Sequence, residues 1–252
     1  MKKNSPLIRA DEWLVLNHLA ETRSKAQAMI LSHSVRLSKD NVIDKPSRKI
    51  PIDALLKIDA APQFVSRGGE KLAGFLGRFP MEIEGKDILD IGASTGGFTD
   101  CLLQRGALSA VCVDVGHGQL HYKLRKDPRV SNFENVNARD LTPNFFQGRL
   151  FGIVVCDVSF ISLKKIFPVI WPFVAQEGYL IALIKPQFEA EKNYMDRCKG
   201  VIRDPKIQEN ICDDMVRFAA NNLCPSQCIG IIDSPILGAE GNREFLLGLR
   251  KK

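Results

Sequence analysis

The chain has 252 residues, 45% of them hydrophobic, so it can bury a sizeable core and has room for one large domain with a small appendage. This composition excludes fibrous and intrinsically disordered classes. The formal net charge is +6, and residues 1–60 carry 11 Lys and Arg against 7 Asp and Glu. That basic excess indicates either a polyanionic partner at the N-terminal end or an ordinary solvated surface.

The seven cysteines are an odd number and lie mostly in apolar stretches, which favours free thiols in a reducing compartment. Cys224 and Cys228 form the only close pair, and no second pair completes a zinc site, so we predict no metal. No apolar run reaches the roughly 20 residues of a membrane helix, and Met1-Lys-Lys is not followed by the apolar core of a signal peptide. We therefore expect a cytoplasmic protein that does not bind membranes.

Residues 1–60 are predicted to form a small α+β domain. Apolar residues from Leu14 to Ile30 recur at helical spacing and predict two short helices, the second capped by Thr22 or Ser24. The strands predicted after them are Val35–Leu37, Asn41–Ile43 and Leu55–Ile58. Residues 61–84 are assigned to a linker and to the first helix of the second domain, which runs from Glu70 to about Phe79.

From Lys86 onward, apolar runs alternate with segments of helical spacing, which predicts a doubly wound α/β domain over residues 85–252. The predicted parallel strands are Asp87–Ile91, Ala110–Val115, Asn132–Asn135, Gly152–Asp157 and Tyr179–Ile184. The predicted helices are Gly97–Arg105, Gln119–Lys126, Leu163–Val174 and Pro205–Asn222. The last two strands, Gln227–Asp233 and Arg243–Leu249, are predicted to pair as an antiparallel hairpin at one edge of a mostly parallel, seven-stranded Rossmann-like sheet.

A glycine-rich turn follows the first of these strands. Its candidate binding residues are Asp90, Gly92, Ser94, Gly96, Gly97 and Phe98. A tight turn at the carboxyl edge of a parallel sheet is where such folds bind nucleotides, and glycine lets the backbone approach the ligand closely. The three residues between Gly92 and Gly96 depart from the dinucleotide spacing, and the leading acid would repel a pyrophosphate but suits an ammonium group. The turn therefore favours S-adenosylmethionine over a nicotinamide dinucleotide, and a plain loop with a helix cap is the structural alternative.

Polar residues at the ends of later strands are predicted to extend this site. Asp114 ends the second strand about 20 residues beyond the turn, where doubly wound folds place a carboxylate for ribose hydroxyls. Asp157 ends the fourth strand in the same register. Asn137 and Arg139 follow the third strand. They either flank the adenine of the cofactor or belong only to a surface turn.

Lys185 ends the apolar strand before Pro186, and burial of its amine is hard to explain by folding alone. Adjacent parallel strands should place Lys185 a few ångströms from Asp157, beside the methyl group of the cofactor. A lysine whose pKa is lowered by burial can act as a base or orient a hydroxyl. The alternative is a side chain that extends to the surface.

Six motifs in order along the chain resemble those of the TlyA proteins and cover nearly all of it. They are Ser66–Leu72, Asp90–Asp100, Asp114–Gly116, Asp157–Leu163, Lys185–Glu189 and Gly241–Phe245. TlyA proteins are ribosomal RNA 2′-O-methyltransferases, often named haemolysins, and are built on the FtsJ-like methyltransferase fold. The resemblance implies S-adenosylmethionine as cofactor and cytidine in ribosomal RNA, or in ribosomal subunits, as substrate.

The resemblance also implies a catalytic tetrad of Lys71, Asp157, Lys185 and Glu244. In it Lys185 steers or deprotonates a ribose 2′-hydroxyl, Asp157 and Lys71 tune and orient that lysine, and Glu244 completes the network. Because a ribose hydroxyl is a poor nucleophile, in-line placement should supply much of the rate and proton removal less. Without the resemblance to the TlyA proteins, the sequence pattern predicts that Glu244 is an exposed strand residue and that Lys71 is a charged residue on a helix surface.

The N-terminal domain is similar to the αL RNA-binding motif, in which two helices present basic side chains to RNA. This resemblance makes Arg9, Arg23, Lys25 and Arg36 the predicted RNA contacts, and Arg67 extends the basic track into the second domain. Two turns depart from the motif: Leu31–Val35 lacks the usual glycine, and Ser38–Asp40 replaces an Asn-Gly-like turn.

Other functions are weighed against this one, and no feature predicts an oligomeric state. A membrane-active haemolysin would need a signal peptide, a spanning helix or a long amphipathic hairpin. An RNA-binding protein on an inactive methyltransferase scaffold would not need an intact tetrad. A small-molecule O-methyltransferase would leave the basic N-terminal domain without a purpose.

Overall fold

In the computed structural model of the chain, the described residues are 5–31, 34–38, 41–59, 63–198, 200–238 and 241–252. They form two compact units, which are divided between Gln63 and Phe64. The boundary that we predict from the sequence lies a few residues earlier, at 60 and 61. The helix that we assign together with the linker belongs to the larger unit.

The smaller unit contains, among its described residues, two helices and two small antiparallel sheets. Its helices are α1 (Ala10–Leu16) and α2 (Arg23–Leu31). Its strands are β1 (Leu7–Arg9), β2 (Val35–Ser38), β3 (Asn41–Val42), β4 (Lys49–Pro51) and β5 (Lys57–Ile58). Strand β1 pairs with β4, and β2 pairs with β3 and β5 around a core that includes Leu14 and Ile30.

The two predicted helices of this unit are confirmed, and Thr22 caps the second: its Oγ1 accepts a hydrogen bond from Lys25 N at 3.2 Å. The β1–β4 pair is not predicted, because strands this short, one of them containing Pro51, show little alternation. Of the predicted strand Leu55–Ile58, only β5 (Lys57–Ile58) is a strand in the structure. The departures from the αL motif at 32–33 and 39–40 lie outside the described residues.

Within its described residues, the larger unit is a seven-stranded sheet flanked by helices. Its strands are β6 (Asp87–Ile91), β7 (Ser109–Val113), β8 (Val130–Phe133), β9 (Phe151–Cys156), β10 (Val174–Ile184), β11 (Ser226–Asp233) and β12 (Phe245–Lys251). Its α-helices are α3 (Arg67–Arg78), α4 (Gly97–Leu103), α5 (Tyr122–Arg125), α6 (Leu163–Ile170), α7 (Pro186–Glu189), α8 (Lys192–Arg197) and α9 (Pro205–Asn222). The strand order is β11-β12-β10-β9-β6-β7-β8, and β12 runs antiparallel to both neighbours. The predicted doubly wound sheet with one antiparallel hairpin is confirmed.

Several element boundaries differ from the predicted ones. The helix predicted to reach Val174 contains Pro168 and ends at Ile170; a 3-10 turn over Trp171–Phe173 follows, in which Pro172 has no backbone donor to continue the helix, and Val174 already begins β10. The third parallel strand ends at Phe133 instead of Asn135, whose φ of 59° does not fit a strand. Two further helix extents differ: the segment 119–126 is helical only over α5, and α3 begins three residues early at Arg67. The short helices α7 and α8 are not predicted.

Apolar side chains cover both faces of the sheet. On β6, Leu89 belongs to the core beneath α6 and α9, while its neighbour Ile88 belongs to the core beneath α3 and α4. Because β6, β7 and β9 are parallel, their carboxyl ends meet at one edge, where Gly92 N donates to Val113 O at 2.8 Å and Asp157 N to Ile91 O at 2.9 Å. The predicted site residues of these strands therefore converge at this edge.

Candidate active site

The glycine turn between β6 and α4 has no space for a side chain at Gly92 or at Gly97. Gly92 has φ +79°, and a Cβ at this position would overlap the carbonyl oxygen of Asp157. A Cβ at Gly97, the first residue of α4, would overlap Ser66 Oγ next to α3. The turn therefore packs directly against the end of β9 and the start of α3, and glycine is required at both contacts.

Asp90 is 1% exposed, and its Oδ2 accepts hydrogen bonds from Thr99 N at 3.1 Å and Thr99 Oγ1 at 2.7 Å. Burial, and to a smaller extent the negative charges of Asp157 and Asp114, raise the pKa of Asp90 to about 7 in spite of the opposing Thr99 bonds. A buried carboxyl whose proton is held this firmly ionises most readily when a cation lies beside it.

Asp114 connects the end of β7 to the glycine turn. Its Oδ2 accepts from Ser94 N and its Oδ1 from Gly116 N, both at 2.7 Å. Asn137 instead begins a 3-10 turn, and its Oδ1 accepts from Arg139 N at 3.1 Å. Its place in the cofactor site stays a prediction.

An open cavity of about 280 Å³ runs along this edge of the sheet. Its lining residues are Ser66, Arg67, Gly68, Lys71, Asp90, Gly92, Ala93, Ser94, Thr95, Gly97, Phe98, Asp157, Ser159 and Lys185. The cavity brings together most of the predicted cofactor residues with three members of the implied tetrad. Of the predicted residues, Gly96, Asp114, Asn137 and Glu244 stand outside this lining.

Lys185 follows β10 and points its ammonium at the end of β9. Its Nζ lies 2.6 Å from Asp157 Oδ1, an ion-pair contact whose angles are not those of a hydrogen bond, and it donates a hydrogen bond to Ser159 Oγ at 2.8 Å. Both members of the ion pair are largely shielded from solvent. The two strand ends thus hold one lysine nitrogen in a fixed position on the cavity wall.

Lys71 and Glu244 form a second shielded ion pair, with Lys71 Nζ donating to Glu244 Oε2 at 2.6 Å. Lys71 lies on α3, and Glu244, 3% exposed, directly precedes β12. From the sequence alone these residues read as surface charges, so only the family resemblance points to them. Glu244 reaches the cavity through Lys71, which lines it.

Sequence reasoning assigns no role to Ser159 or Phe160, although both lie in a quoted motif. The Phe160 side chain is 91% exposed, its φ is 64°, and its ring lies 5.1 Å from that of Phe188. An aromatic residue in a sequence usually indicates core, so its exposure is not predictable from the sequence. The sequence signal that could have pointed to Phe160 is its position three residues beyond Asp157.

In the smaller unit, the four predicted RNA contacts all make ion pairs. Arg9 and Arg23 both donate to buried Asp11, and the hydrogen bond from Arg9 is the main cause that holds the pKa of Asp11 well below its usual range. Lys25 pairs with Glu21, and Arg36 pairs with Asp59. The guanidinium groups of Arg9 and Arg23 are therefore held in place by a carboxylate, with part of each side chain exposed.

Comparison with protein families matches residues 64–251 to the FtsJ-like methyltransferase domain. The chain belongs to the FtsJ-like methyltransferase family. Hemolysin A of Brachyspira hyodysenteriae is 41% identical over 95% of this chain and 98% of its own length. The 16S/23S rRNA (cytidine-2′-O)-methyltransferase TlyA of Mycobacterium tuberculosis is 39% identical over 96% of this chain and 89% of its own length.

A solved structure is also similar to this chain over nearly its whole length. A hemolysin-type protein from Streptococcus thermophilus superposes with a TM-score of 0.74 at 38% identity, covering 98% of this chain and 89% of the other. The predicted resemblance to TlyA proteins is confirmed. The roles of the individual site residues stay predictions.

The Lys71–Glu244 pair gives a stability prediction. Lys71→Met should lower the free energy of unfolding by about 3 kcal/mol, because it leaves the Glu244 carboxylate buried without its cation. The double variant Lys71→Met/Glu244→Gln should lose less than the sum of the single losses, with a coupling of at least about 1 kcal/mol in urea unfolding.

The matched control is Lys206→Met, whose exposed pair with Glu209 should contribute less than about 0.5 kcal/mol. Additive losses in the double variant would contradict a direct interaction between Lys71 and Glu244.

Proposed function

We propose that this FtsJ-like methyltransferase transfers the methyl group of S-adenosylmethionine to a ribose 2′-oxygen in ribosomal RNA, with cytidine as the target nucleoside. The observation that carries the proposal is the position of Lys185, held by Asp157 and Ser159 on the wall of the cavity that the glycine turn lines. The TlyA relative of M. tuberculosis is named for this reaction, which supports the choice of substrate. A ribosomal substrate implies that the enzyme works in the cytoplasm.

The residues at the cavity fit S-adenosylmethionine. The side-chain-free turn at Gly92 and Gly97 offers backbone to a closely bound ligand, and Asp90 offers a carboxylate to an ammonium group. Asp114 keeps acceptor lone pairs beyond its two backbone bonds, which suits ribose hydroxyls. When bound, S-adenosylmethionine supplies an electrophilic methyl group on a sulfonium sulfur.

Lys185 steers the hydroxyl that receives the methyl group. With Asp157 and Ser159 as partners, the lysine nitrogen is fixed and can hold a 2′-hydroxyl by a further hydrogen bond. Transfer to the 2′-oxygen would break the carbon–sulfur bond of the sulfonium as the oxygen–carbon bond forms. The hydroxyl proton would be taken up by Asp157 through Lys185, which gives one proton to the carboxylate as it receives another, and would pass from there to water. Lys71, anchored by Glu244, adds positive charge on the same wall.

Exposed side chains around this site suit RNA. Phe160 offers a ring face on which a base can stack, three residues beyond Asp157. Arg67 is exposed in the first turn of α3 and lines the cavity, where it can contact a phosphate. In the smaller unit, Arg9, Arg23, Lys25 and Arg36 are the proposed contacts to the RNA backbone. Because carboxylates pair with all four, their contribution to affinity should be weaker than that of free cations.

Lys185→Ala should lower the rate of methyl transfer from tritiated S-adenosylmethionine to ribosomal subunits by at least about 100-fold, because the hydroxyl loses its positioning group. Calorimetry should show S-adenosylmethionine binding close to that of the wild type. Lys206→Ala, which changes an exposed lysine of α9, is the control and should transfer at the wild-type rate. If the wild type labels neither naked ribosomal RNA, subunits nor whole ribosomes, the proposed function is wrong.

The affinity for S-adenosylmethionine should rise by more than about tenfold from about pH 5.5 to about pH 7, because Asp90, with a pKa of about 7, becomes ionised over this range. The α-amino group of the ligand stays protonated over the same range. Asp90→Asn cannot ionise and should bind more weakly with a flat profile in calorimetric titrations. If Asp90→Asn kept the pH dependence of the wild type, Asp90 would not be the residue that binds the ammonium group of the ligand.

A further inference from the structure

Two short segments carry the proposed catalytic pair and run side by side at the edge of the sheet. The first, residues 157–162, joins β9 to α6 and contains Asp157. The second, residues 185–189, follows β10 and contains Lys185 and α7. At their near ends, Lys185 contacts Asp157 and Ser159.

Glu189 joins the far ends of the same two segments. Its Oε1 accepts a hydrogen bond from Leu163 N at 2.7 Å, and its Oε2 accepts one from Ser162 Oγ at 2.5 Å. Ser162 is itself the N-cap of α6, and its Oγ accepts from Lys164 N at 3.2 Å. A glutamate from the neighbouring segment thus completes the N-terminal cap of α6, where a negative charge is favoured.

Burying the Glu189 carboxylate at this point costs free energy, which indicates that its position is constrained. Burial raises the pKa of its carboxyl, and the bonds from Ser162 and Leu163 only partly oppose this effect. By comparison, α9 is capped by Asp204, which directly precedes the helix and accepts from Lys206 N at 2.9 Å. For α6, capping alone would not require Glu189, because Ser162 already provides it.

Phe160 lies, with Ile161, between the two sets of contacts. Its φ of 64° is unfavourable for an aromatic residue, and its ring is exposed, whereas Ile161 packs against the core. The Phe160 side chain therefore supplies little packing to hold its own backbone conformation. Its neighbours hold that conformation: Ser159 is bound by Lys185 on one side, and Ser162 is bound by Glu189 on the other, with Phe188 against the ring.

We propose that Glu189 is a positioning residue for RNA, which holds Phe160 in its exposed conformation beside Lys185 and so orients the target nucleoside. The inference rests on the proposed function. It extends that function to a residue that touches neither cofactor nor substrate. Glu189 acts through Phe160 and does not act on the cofactor turn.

The test compares Glu189→Ala with Glu189→Gln in methyl transfer to ribosomal subunits. Glu189→Ala should lower kcat/KM for subunits by about tenfold, because a small displacement of the positioning loop is costly. Its Kd for S-adenosylmethionine should equal that of the wild type in calorimetry. Glu189→Gln keeps one oxygen acceptor and should recover part of the loss. Glu191→Ala, which changes an exposed glutamate two residues away, is the matched control and should match the wild type.

A double variant separates positioning from a structural role. If Glu189 acts through Phe160, Phe160→Ala/Glu189→Ala should be no slower than Phe160→Ala alone. The inference would be overturned if the double variant showed the product of the two single losses. It would also be overturned if Glu189→Ala lost S-adenosylmethionine affinity as much as it lost kcat/KM, or if Glu189→Ala had wild-type kinetics.

The outcomes also separate this inference from the function on which it rests. A wild type that labels no ribosomal RNA overturns both, whereas a wild type that labels RNA alongside multiplied losses overturns only the role of Glu189. If Glu189→Ala does not fold, as judged by circular dichroism, Ser162→Ala takes its place. Ser162→Ala removes the Oε2 contact together with the cap bond from Lys164 N, but it leaves the Oε1 contact from Leu163 N, so it should show a smaller loss of the same kind.

Discussion

The site depends on one close contact, in which the backbone of Gly92 lies against the carbonyl of Asp157 with no room for a Cβ. This contact fixes the distance between the turn that we propose for the cofactor and the strand end that holds the catalytic pair. The parallel register of β6 and β9 brings the two strand ends level, and a glycine in the left-handed region lets them touch. Methyl transfer needs this kind of geometry, because the donor and acceptor atoms must be aligned before reaction.

The charges of the larger unit are organised around the same edge. Two lysines, Lys71 and Lys185, are each held by a carboxylate, so their nitrogens are already placed on the cavity wall. Such pairs are costly to bury and add little to stability as a whole, which fits a role in function better than a role in folding. In contrast, Asp90 is buried with hydrogen bonds from Thr99 and with no paired cation among the described residues, and its burial, followed by the charges of two further carboxylates, raises its pKa. The Asp90 end of the cavity is therefore suited to a cationic group of a ligand.

The sequence predicts the sheet well, because alternating apolar runs and the glycine turn are local signals. It also predicts that Asp157 and Lys185 are neighbours, because the predicted strands are parallel and their carboxyl ends converge. Glu244 and Phe160 are different. Burial of Glu244 depends on a lysine 173 positions away, and exposure of Phe160 depends on contacts from a second segment. No periodicity encodes such long-range contacts, so the first was found only by resemblance and the second only in the structure.

The central claim, methylation of a ribose 2′-oxygen, is tested most directly by mapping alkali-resistant positions in ribosomal RNA. A 2′-O-methyl group removes the hydroxyl that alkaline cleavage requires, so a modified nucleotide leaves a gap in the cleavage pattern. RNA would be compared from cells with the wild-type gene, with Lys185→Ala and without the gene. We predict at least one gap, at a cytidine, that is present only with the wild type. Identical patterns in all three, or a methyl label that is recovered on a base, would contradict the account.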